Sequence, residues 1–352
     1  MAERSQQAAH RLAEGGRAPG IPSRGKRAWP QRYTYAALDL GTNNCRLLIA
    51  RPEGDGFVVV DAFSRIVRLG EGLAATGRLS DAAMDRAVAA LSICAEKLKR
   101  RHVTLVRSVA TEACRRATNG GDFIARVADE TGIRLEIISA EQEARLAVIG
   151  CHALLEPGEG QALVFDIGGG STELVLLAEG DAAAPEVEDW FSAPWGVVSL
   201  SESEPHVGAD ESELRVAYGR MKQRAVDAFS PFAGRLVAAA KRPGRLLGTS
   251  GTVTTLASLH LDLPSYDRKK IDGLIVPSAD LRAVSQRLAG MSVDERATLR
   301  CIGTERADLV VAGCAILEAI LDLWPAQRLS VADRGIREGI LRGLMAADAV
   351  PA

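Results

Sequence analysis

The sequence predicts an α/β protein of two similar lobes facing each other across a cleft. Three observations carry this expectation. Apolar, strand-like runs alternate with stretches of helical periodicity along the chain. A strand–turn–strand unit built on Asp-x-Gly occurs twice, at Asp39 and Asp166, 127 residues apart, about one small domain. The 352 residues are 47% hydrophobic and 25% charged, enough apolar material for two ordinary cores.

Residues 1–32 are polar, basic and punctuated by Gly and Pro, and lack the apolar centre of a secretory leader. They read as a disordered tail, with a polyanion-binding arm as the alternative. YTYAALDLGTNNCRLLIA (33–50) reads as strand, turn, strand, and FVVVDAFSRIVRLG (57–70) continues the strand character. SDAAMDRAVAALSICAEKLKRR (80–101) is a helix capped by Ser80. TLVRSVATEACRRA (104–117) reads as strand, loop, helix, and SAEQEARLAVIGCHALL (139–155) as a helix opened by the capping box Ser139-x-x-Gln142.

The pattern then restarts with ALVFDIGGGSTELVLL (162–177), followed by helical segments and the strand–turn–helix RLLGTSGTVTTLASL (245–259). A helix at 309–324 and LSVADRGIREGILRGL (329–344) complete the second half. The expected division is a first lobe at 33–150 and a second at 151–352. The linker falls around 147–161, and the last helix is free to pack back across the first lobe.

Several function classes are excluded. A net charge of −2 gives no general case for nucleic-acid binding. The most apolar stretch, LVVAGCAILEAILDLW (309–324), carries Glu318 and Asp322 and reads as a buried amphipathic helix, so no membrane association is expected. Six scattered cysteines without a CxxC pair read as reduced thiols of a cytoplasmic protein. Five dispersed histidines without HExxH leave no zinc motif.

The paired turns carry the chemistry. Backbone N–H groups exposed at a glycine turn suit phosphate oxygens, because glycine permits positive φ and close approach of a ligand. Gly41, Thr42, Asn43 and Asn44 form one such turn; Gly168, Gly169, Gly170, Ser171 and Thr172 form the other. Carboxylates beside an anion site make sense with a cation between them, so Asp39, Asp166 and Glu173 are candidate Mg²⁺ ligands, directly or through water. A third loop, Gly248, Thr249, Ser250 and Gly251, opens a helix whose N-terminus favours anions. Aligned from the first acid, Arg46 falls where the second copy has Glu173, which makes the halves chemically unequal.

The motifs ALDLGTNNCRLLI, VATEACRRA, IISAEQEARL, LVFDIGGGSTEL, LLGTSGTVTTLA and ADRGIREGIL, running from about residue 35 to 344, resemble the exopolyphosphatase and guanosine pentaphosphate phosphohydrolase family. That family belongs to the actin and sugar-kinase superfamily of duplicated ribonuclease-H-like domains. The chain is similar to its short members, which lack an additional C-terminal helical domain. The resemblance implies Mg²⁺-dependent hydrolysis of a terminal phosphoanhydride, with inorganic polyphosphate or guanosine pentaphosphate as substrate, and a homodimer. It also brings into view a small-molecule kinase, against which EQEARL argues, and a non-catalytic sensor, which would have lost an acid.

By the same resemblance, Glu143 activates the attacking water, and Arg115, with Arg116 beside it, reaches toward substrate phosphates. Asp39, Asp166 and Glu173 match metal and phosphate-site acids. Arg337 and Glu338 match an interdomain pair. Glu143 falls in the first turn of its helix, where the macrodipole favours ionised carboxylates, so it is expected to be a weak base. Glu141 is its rival and reads as a solvent-facing acid. KLKRRH (97–102), KRPGR (241–245) and DRKK (267–270) are candidates for a polyphosphate path, against their reading as solvated surface.

Overall fold

A run that is apolar at almost every position has no solvent face, and the first strand, β1 (Tyr35–Leu40), is buried at every residue but Asp39. It lies at the centre of a five-stranded sheet. β2 (Asn44–Glu53) and β3 (Gly56–Ile66) add antiparallel on one side, and β4 (Leu105–Ala110) and β5 (Glu136–Ile137) add parallel on the other, in the order β3-β2-β1-β4-β5. The computed structural model describes residues 33–54, 56–180, 185–204 and 210–348, so the expected tail at 1–32 lies outside the described residues.

The second sheet repeats the first. Its strands are β6 (Ala162–Ile167), β7 (Thr172–Leu177), β8 (Val187–Ala193), β9 (Arg245–Thr249), β10 (Ile275–Pro277) and β11 (Arg328–Ala332). Their order is β10-β11-β9-β6-β7-β8. β8-β7-β6-β9-β11 thus reproduces the first sheet strand for strand and direction for direction, and β10 is an extra antiparallel edge. The duplication and the α/β class expected from the sequence are both present.

Helices cover the sheets. In the first half they are α1 (Leu73–Thr76), α2 (Asp81–Arg100), α3 (Glu112–Arg116), α4 (Gly120–Thr131) and α5 (Ala140–Cys151). In the second they are α6 (Val197–Ser203), α7 (Glu211–Ala238), α8 (Gly251–His260), α9 (Arg268–Ile271), α10 (Ser278–Ala289), α11 (Val293–Thr298), α12 (Val310–Leu323) and α13 (Ile336–Asp348). Ser80 caps α2 by accepting from the Ala83 N–H, and Ser139 and Gln142 form both bonds of the expected capping box on α5. α12 is buried from Val310 through Leu321 because α6, α7, α8 and α10 surround it. The carboxylate of Glu318 within it is satisfied by Gln286 Nε2 at 2.6 Å and Lys222 Nζ at 3.3 Å. Among the described residues no helix is long and apolar enough to cross a membrane.

Two helices change sides. Ala144, Val148 and Cys151 of α5 pack with Val164, Val175 and Leu247 of the second sheet. Ile340, Leu341 and Met345 of α13 pack with Tyr35, Ala37 and Leu48 of the first, and Tyr35 Oη donates to Asp348 Oδ2 at 2.7 Å. A division at residues 150/151 therefore separates each of these helices from the sheet it covers. Where α5 and α13 cross, their backbones touch: a Cβ at Gly150 would overlap the Gly335 carbonyl, and one at Gly339 the Leu146 carbonyl.

The basic runs have local partners. Lys97 and Arg101 clamp Asp61 on β3 at 2.7 and 2.8 Å and hold its carboxyl down to about 2. Lys241 pairs with Glu188, Arg245 donates to the Glu156 and Gly160 carbonyls, and Arg268 pairs with Asp333 and Glu338. None of the three runs lines the cleft between the lobes.

The crossing gives a direct test. Gly339→Ala forces two helix backbones apart and is expected to lower stability by about 1–3 kcal/mol, read by denaturant unfolding. Gly343→Ala, on the same helix with nothing near its Cβ position, should be neutral or slightly stabilising. Equal effects at the two positions would count against a tight crossing.

Candidate active site

Three segments meet where the parallel strands end, the edge at which open α/β sheets bind ligands. The turn after β1, the turn after β6 and the N-terminus of α8 after β9 all open onto a cavity of about 130 Å³ between the lobes. The two turns are built alike: the Gly41 N–H donates to the Asn44 carbonyl at 2.9 Å, and the Gly168 N–H to the Ser171 carbonyl at 3.0 Å. In register, Asp39 stands opposite Arg46 and Asp166 opposite Glu173.

Most of the residues singled out by sequence line this cavity: Asp39, Gly41, Thr42, Asn43, Asn44, Glu143, Asp166, Gly168, Gly169, Gly170, Ser171, Glu173, Ser250 and Gly251. Four do not. Thr172 is buried and donates to the Trp195 carbonyl at 2.7 Å. Gly248 lies within β9 beside Phe165 of β6, where a Cβ would stand 2.6 Å from the Phe165 ring. Thr249 donates to the Arg334 carbonyl and borders a smaller cavity of about 40 Å³ behind the acids.

Arg115 is the fourth. Its guanidinium donates twice to Glu112 Oε2 (2.5 and 3.1 Å), to the Ile138 carbonyl (2.8 Å) and to Glu143 Oε2 (3.1 Å). It is engaged by protein acceptors and holds Glu143 in place, where the sequence suggested a hand on substrate. Arg116 lies 3.7 Å from Glu112 and is more exposed. Glu141 pairs with Arg145 on the solvent side of α5.

The glycine turns work differently from expectation. None of Gly41, Gly168, Gly169 and Gly170 has a positive φ. Gly169 and Gly170 are small because the opposite lobe is close: a Cβ at Gly169 would stand 3.0 Å from the Asn43 N, and one at Gly170 2.7 Å from Thr42 Oγ1, whereas Gly168 meets only the Ser171 carbonyl of its own turn. The strained residue is Ser250, at φ 93° and ψ 179°, a region that only glycine occupies readily.

The polar groups of the site are short of partners. Asp39 Oδ1, Thr42 Oγ1, Asn43 Oδ1, Asn44 Oδ1 and Ser250 Oγ are buried without a hydrogen bond, five of the eleven such atoms among the described residues. Such groups cluster where a ligand completes the bonding. Two arginines face the same space. A Cβ at Gly251 would stand 3.9 Å from Arg46 Nη2 and 4.0 Å from Arg306 Nη1, so a guanidinium from each lobe flanks the start of α8. Arg306 was missed by sequence reasoning, since nothing in ERAD separates it from an ordinary solvated loop. Arg337 faces Asp39 and Arg46 of the first half in the smaller cavity, whereas Glu338 stays within the second, bonding Arg268 at 3.0 Å and the Gly335 N–H at 2.9 Å.

Four carboxylates share this low-dielectric space. Burial raises all four; Asp166 reaches about 6 and Glu173 about 7, the latter pushed further by Asp166. Asp39 is raised by burial against the opposing pull of Arg46. Glu143 rises well above the carboxylate range through burial and the charge of Glu173, with Arg115 pulling the other way. This direction is opposite to the weak base expected from its first-turn position, desolvation and like charges outweighing a helix dipole.

Among the described residues no three His, Cys, Asp or Glu side chains converge tightly enough to cage a metal ion. Mg²⁺ keeps several waters and takes one or two carboxylates together with substrate phosphate, so its fit rests on individual acids. The unpaired Oδ1 of Asp39, with Asp166 beside it, suits this mode.

Duplicated α/β lobes bringing carboxylates, tight turns and two guanidinium groups into one cleft define an enzyme architecture for handling phosphate. The chain belongs to the Ppx/GppA phosphatase family, whose profile matches residues 48–347, and it is a hydrolase of that family. It is 35% identical over 324 residues to Exopolyphosphatase 2 of Mycobacterium tuberculosis, across 88% of this chain and 98% of that one. The crystal structure of an exopolyphosphatase from Cytophaga hutchinsonii matches with a TM-score of 0.80 and 25% identity, covering 89% of this chain and 98% of that one. The Aquifex aeolicus family member matches with a TM-score of 0.71 and 28% identity, over 91% and 99% of the two chains.

A buried carboxyl with a raised pKa favours the fold while protonated. Its contribution is complete below its unfolded value near 4 and is lost as pH rises through the folded value, here about 7 for Glu173. In chelator, Glu173→Gln is therefore expected to melt later than the parent at pH 8, by on the order of 2 kcal/mol, with the gap closing toward pH 5. A gap that stays the same at both pH values would mean this carboxyl carries no such strain.

Proposed function

We propose that the protein hydrolyses the terminal phosphoanhydride of inorganic polyphosphate, releasing orthophosphate in a Mg²⁺-dependent reaction. The observation that carries this reading is the facing of two charge types in one cavity. Glu143, Asp39, Asp166 and Glu173 line it together with Arg46, which stands opposite Asp39 in the hairpin, and Arg306, and both guanidinium groups flank the start of α8. A chain of phosphates needs both, cation-assisted acids at the bond to be cut and arginines for the phosphates that follow.

Mg²⁺ held by Asp39 and Asp166 would neutralise charge on the terminal phosphate. Thr42, Asn43, Asn44 and Ser171 supply donors around that phosphate, and the turn at Gly168–Gly170 lets it approach the main chain. Glu143 orients the attacking water and takes its proton, a task suited to a carboxyl whose proton affinity is raised. Arg115 fixes the angle of that carboxyl through its 3.1 Å bond. Arg46 and Arg306 hold the next phosphates, and most of the acceleration comes from this positioning and neutralisation. The identity to Exopolyphosphatase 2 and the likeness to the Cytophaga enzyme support polyphosphate as substrate.

The test is phosphate release by the purified protein with Mg²⁺ on long polyphosphate, tripolyphosphate, guanosine pentaphosphate and ATP in parallel. Long polyphosphate is expected to lead, chelator to abolish release, and Glu143→Gln to lower kcat by about 10²–10⁴-fold. Faster release from guanosine pentaphosphate would transfer the assignment to the alarmone, which needs the same chemistry. Release unaffected in Glu143→Gln would remove that residue from the mechanism.

A further inference from the structure

The turn that carries Arg306 is tied down at four consecutive carbonyls. The Glu305 carbonyl accepts from Arg68 Nη2 at 3.1 Å, and that of Arg306 from the Leu309 and Val310 N–H groups at 3.0 Å. The Ala307 carbonyl accepts from Arg296 Nη1 at 2.8 Å and that of Asp308 from Ser201 Oγ at 3.1 Å. Arg296 is fully buried and serves backbone carbonyls here, a costly placement for a guanidinium. Three of the four ties come from the second lobe. Arg68 alone comes from the first.

Arg68 does more than touch the turn. Its fork takes both oxygens of Asp308, at 2.8 and 3.0 Å, in the planar geometry that arginine and carboxylate share. It adopts φ 47°, a left-handed conformation costing an L residue about 1–2 kcal/mol. Three bonds hold its backbone there: its N–H donates to the Asn43 carbonyl at 3.1 Å, and its carbonyl accepts from the Glu71 N–H at 3.1 Å and from Arg86 Nη2 at 3.2 Å. Asn43 belongs to the first glycine turn, and the Gly70 N–H bonds the neighbouring Thr42 carbonyl at 2.9 Å. Gly72 extends the junction by donating to Glu202 Oε1 across the lobes at 2.9 Å. One short segment, 67–72, therefore links the first phosphate turn to the loop bearing Arg306.

We propose that Arg68 is a positioning residue whose clasp on Asp308 and the Glu305 carbonyl sets Arg306 over the cleft, fixing the enzyme's affinity for the phosphates behind the one being cut. The clasp ties Arg306 to the joined lobes: while they are apart, that turn lacks one of its four carbonyl ties and the ion pair between Arg68 and Asp308. Substrate long enough to reach Arg306 benefits from the clasp, and short substrate does not. The proposal rests on the cleft being the phosphate site described above, and its binding arm does not depend on turnover.

The experiment compares Arg68→Gly, Arg68→Lys, Arg306→Ala and the Arg68→Gly/Arg306→Ala double variant. Readouts are KM and kcat on long polyphosphate and tripolyphosphate, melting temperature, and equilibrium polyphosphate affinity in a Glu143→Gln background. Glycine relieves the left-handed backbone while removing the fork, so Arg68→Gly is expected to keep the parent's melting temperature within a few degrees. KM for long polyphosphate should rise about fivefold with kcat nearly unchanged, and tripolyphosphate should be affected less. Lysine, a single cation without the fork, should recover only part of the loss. The double variant should match Arg306→Ala alone, because Arg68 acts through Arg306. Additive effects, a fall in kcat equal to the rise in KM, or equal losses on both substrates would overturn the proposal. If the parent binds polyphosphate but releases no phosphate, the hydrolytic reading fails. The affinity comparison then decides the clasp on its own.

Discussion

The contact of two helix backbones underlies everything else in this molecule. α5 and α13 cross at Gly150 and Gly339 without room for a methyl group on either side. Each helix covers the sheet formed by the other half of the chain, so the crossing fixes the spacing between lobes. Glu143 sits on α5, one lobe's helix lying on the other lobe's sheet, and this is how a carboxylate from the first half comes to face Glu173 and Asp166 from the second. A wider crossing would leave the same residues in place along the chain and disperse them in space.

The site held by this frame is electrostatically incomplete. Four carboxylates are buried within range of one another, while two arginines at the start of α8 face the same cavity. Elsewhere in the molecule guanidinium groups find carboxylates readily, as Arg68, Arg268 and Arg334 do. In the cleft Arg46 stands beside Asp39 and Arg115 bonds Glu143, yet the four carboxylates stay crowded against one another. Such crowding of buried like charges costs folding stability and preserves a shape suited to a cation and a polyanion together. Ser250 adds a backbone in a glycine-only region to the same small volume.

Much of this was legible in the sequence because it depends on local chemistry. The repeated Asp-x-Gly turn marked both strand ends, and the Ser139–Gln142 box fixed the start of α5, with Glu143 one residue beyond it. What escaped was set by partners distant in the chain. Gly169 and Gly170 look like conformationally free residues, yet they are small because Thr42 and Asn43 lie against them. Arg115 looks like a phosphate ligand until Glu112 and Glu143 are seen on either side of it. Glu143 looks like a weak base by its helix position, whereas burial and the charge of Glu173 raise its proton affinity. Arg306 carries no local signal, because its placement depends on Arg68, Arg296 and Ser201, each from a different element or loop.

The duplication also explains why the cleft has a direction. Asp39 and Asp166 hold equivalent places, but their partners across the hairpin are Arg46 in one lobe and Glu173 in the other. A symmetrical pair of acidic hairpins would present the same face to either end of a phosphate chain. With Arg46 on one side, the first lobe offers a cation next to its acid, and with Glu173 on the other, the second offers a further carboxylate near Glu143. In the proposed reaction the terminal phosphate belongs on the carboxylate side, where water is activated, and the remaining chain belongs toward Arg46 and Arg306. A single exchange of charge between the two copies, arginine for glutamate at matching positions, is enough to turn a repeated fold into a site with an inner and an outer end.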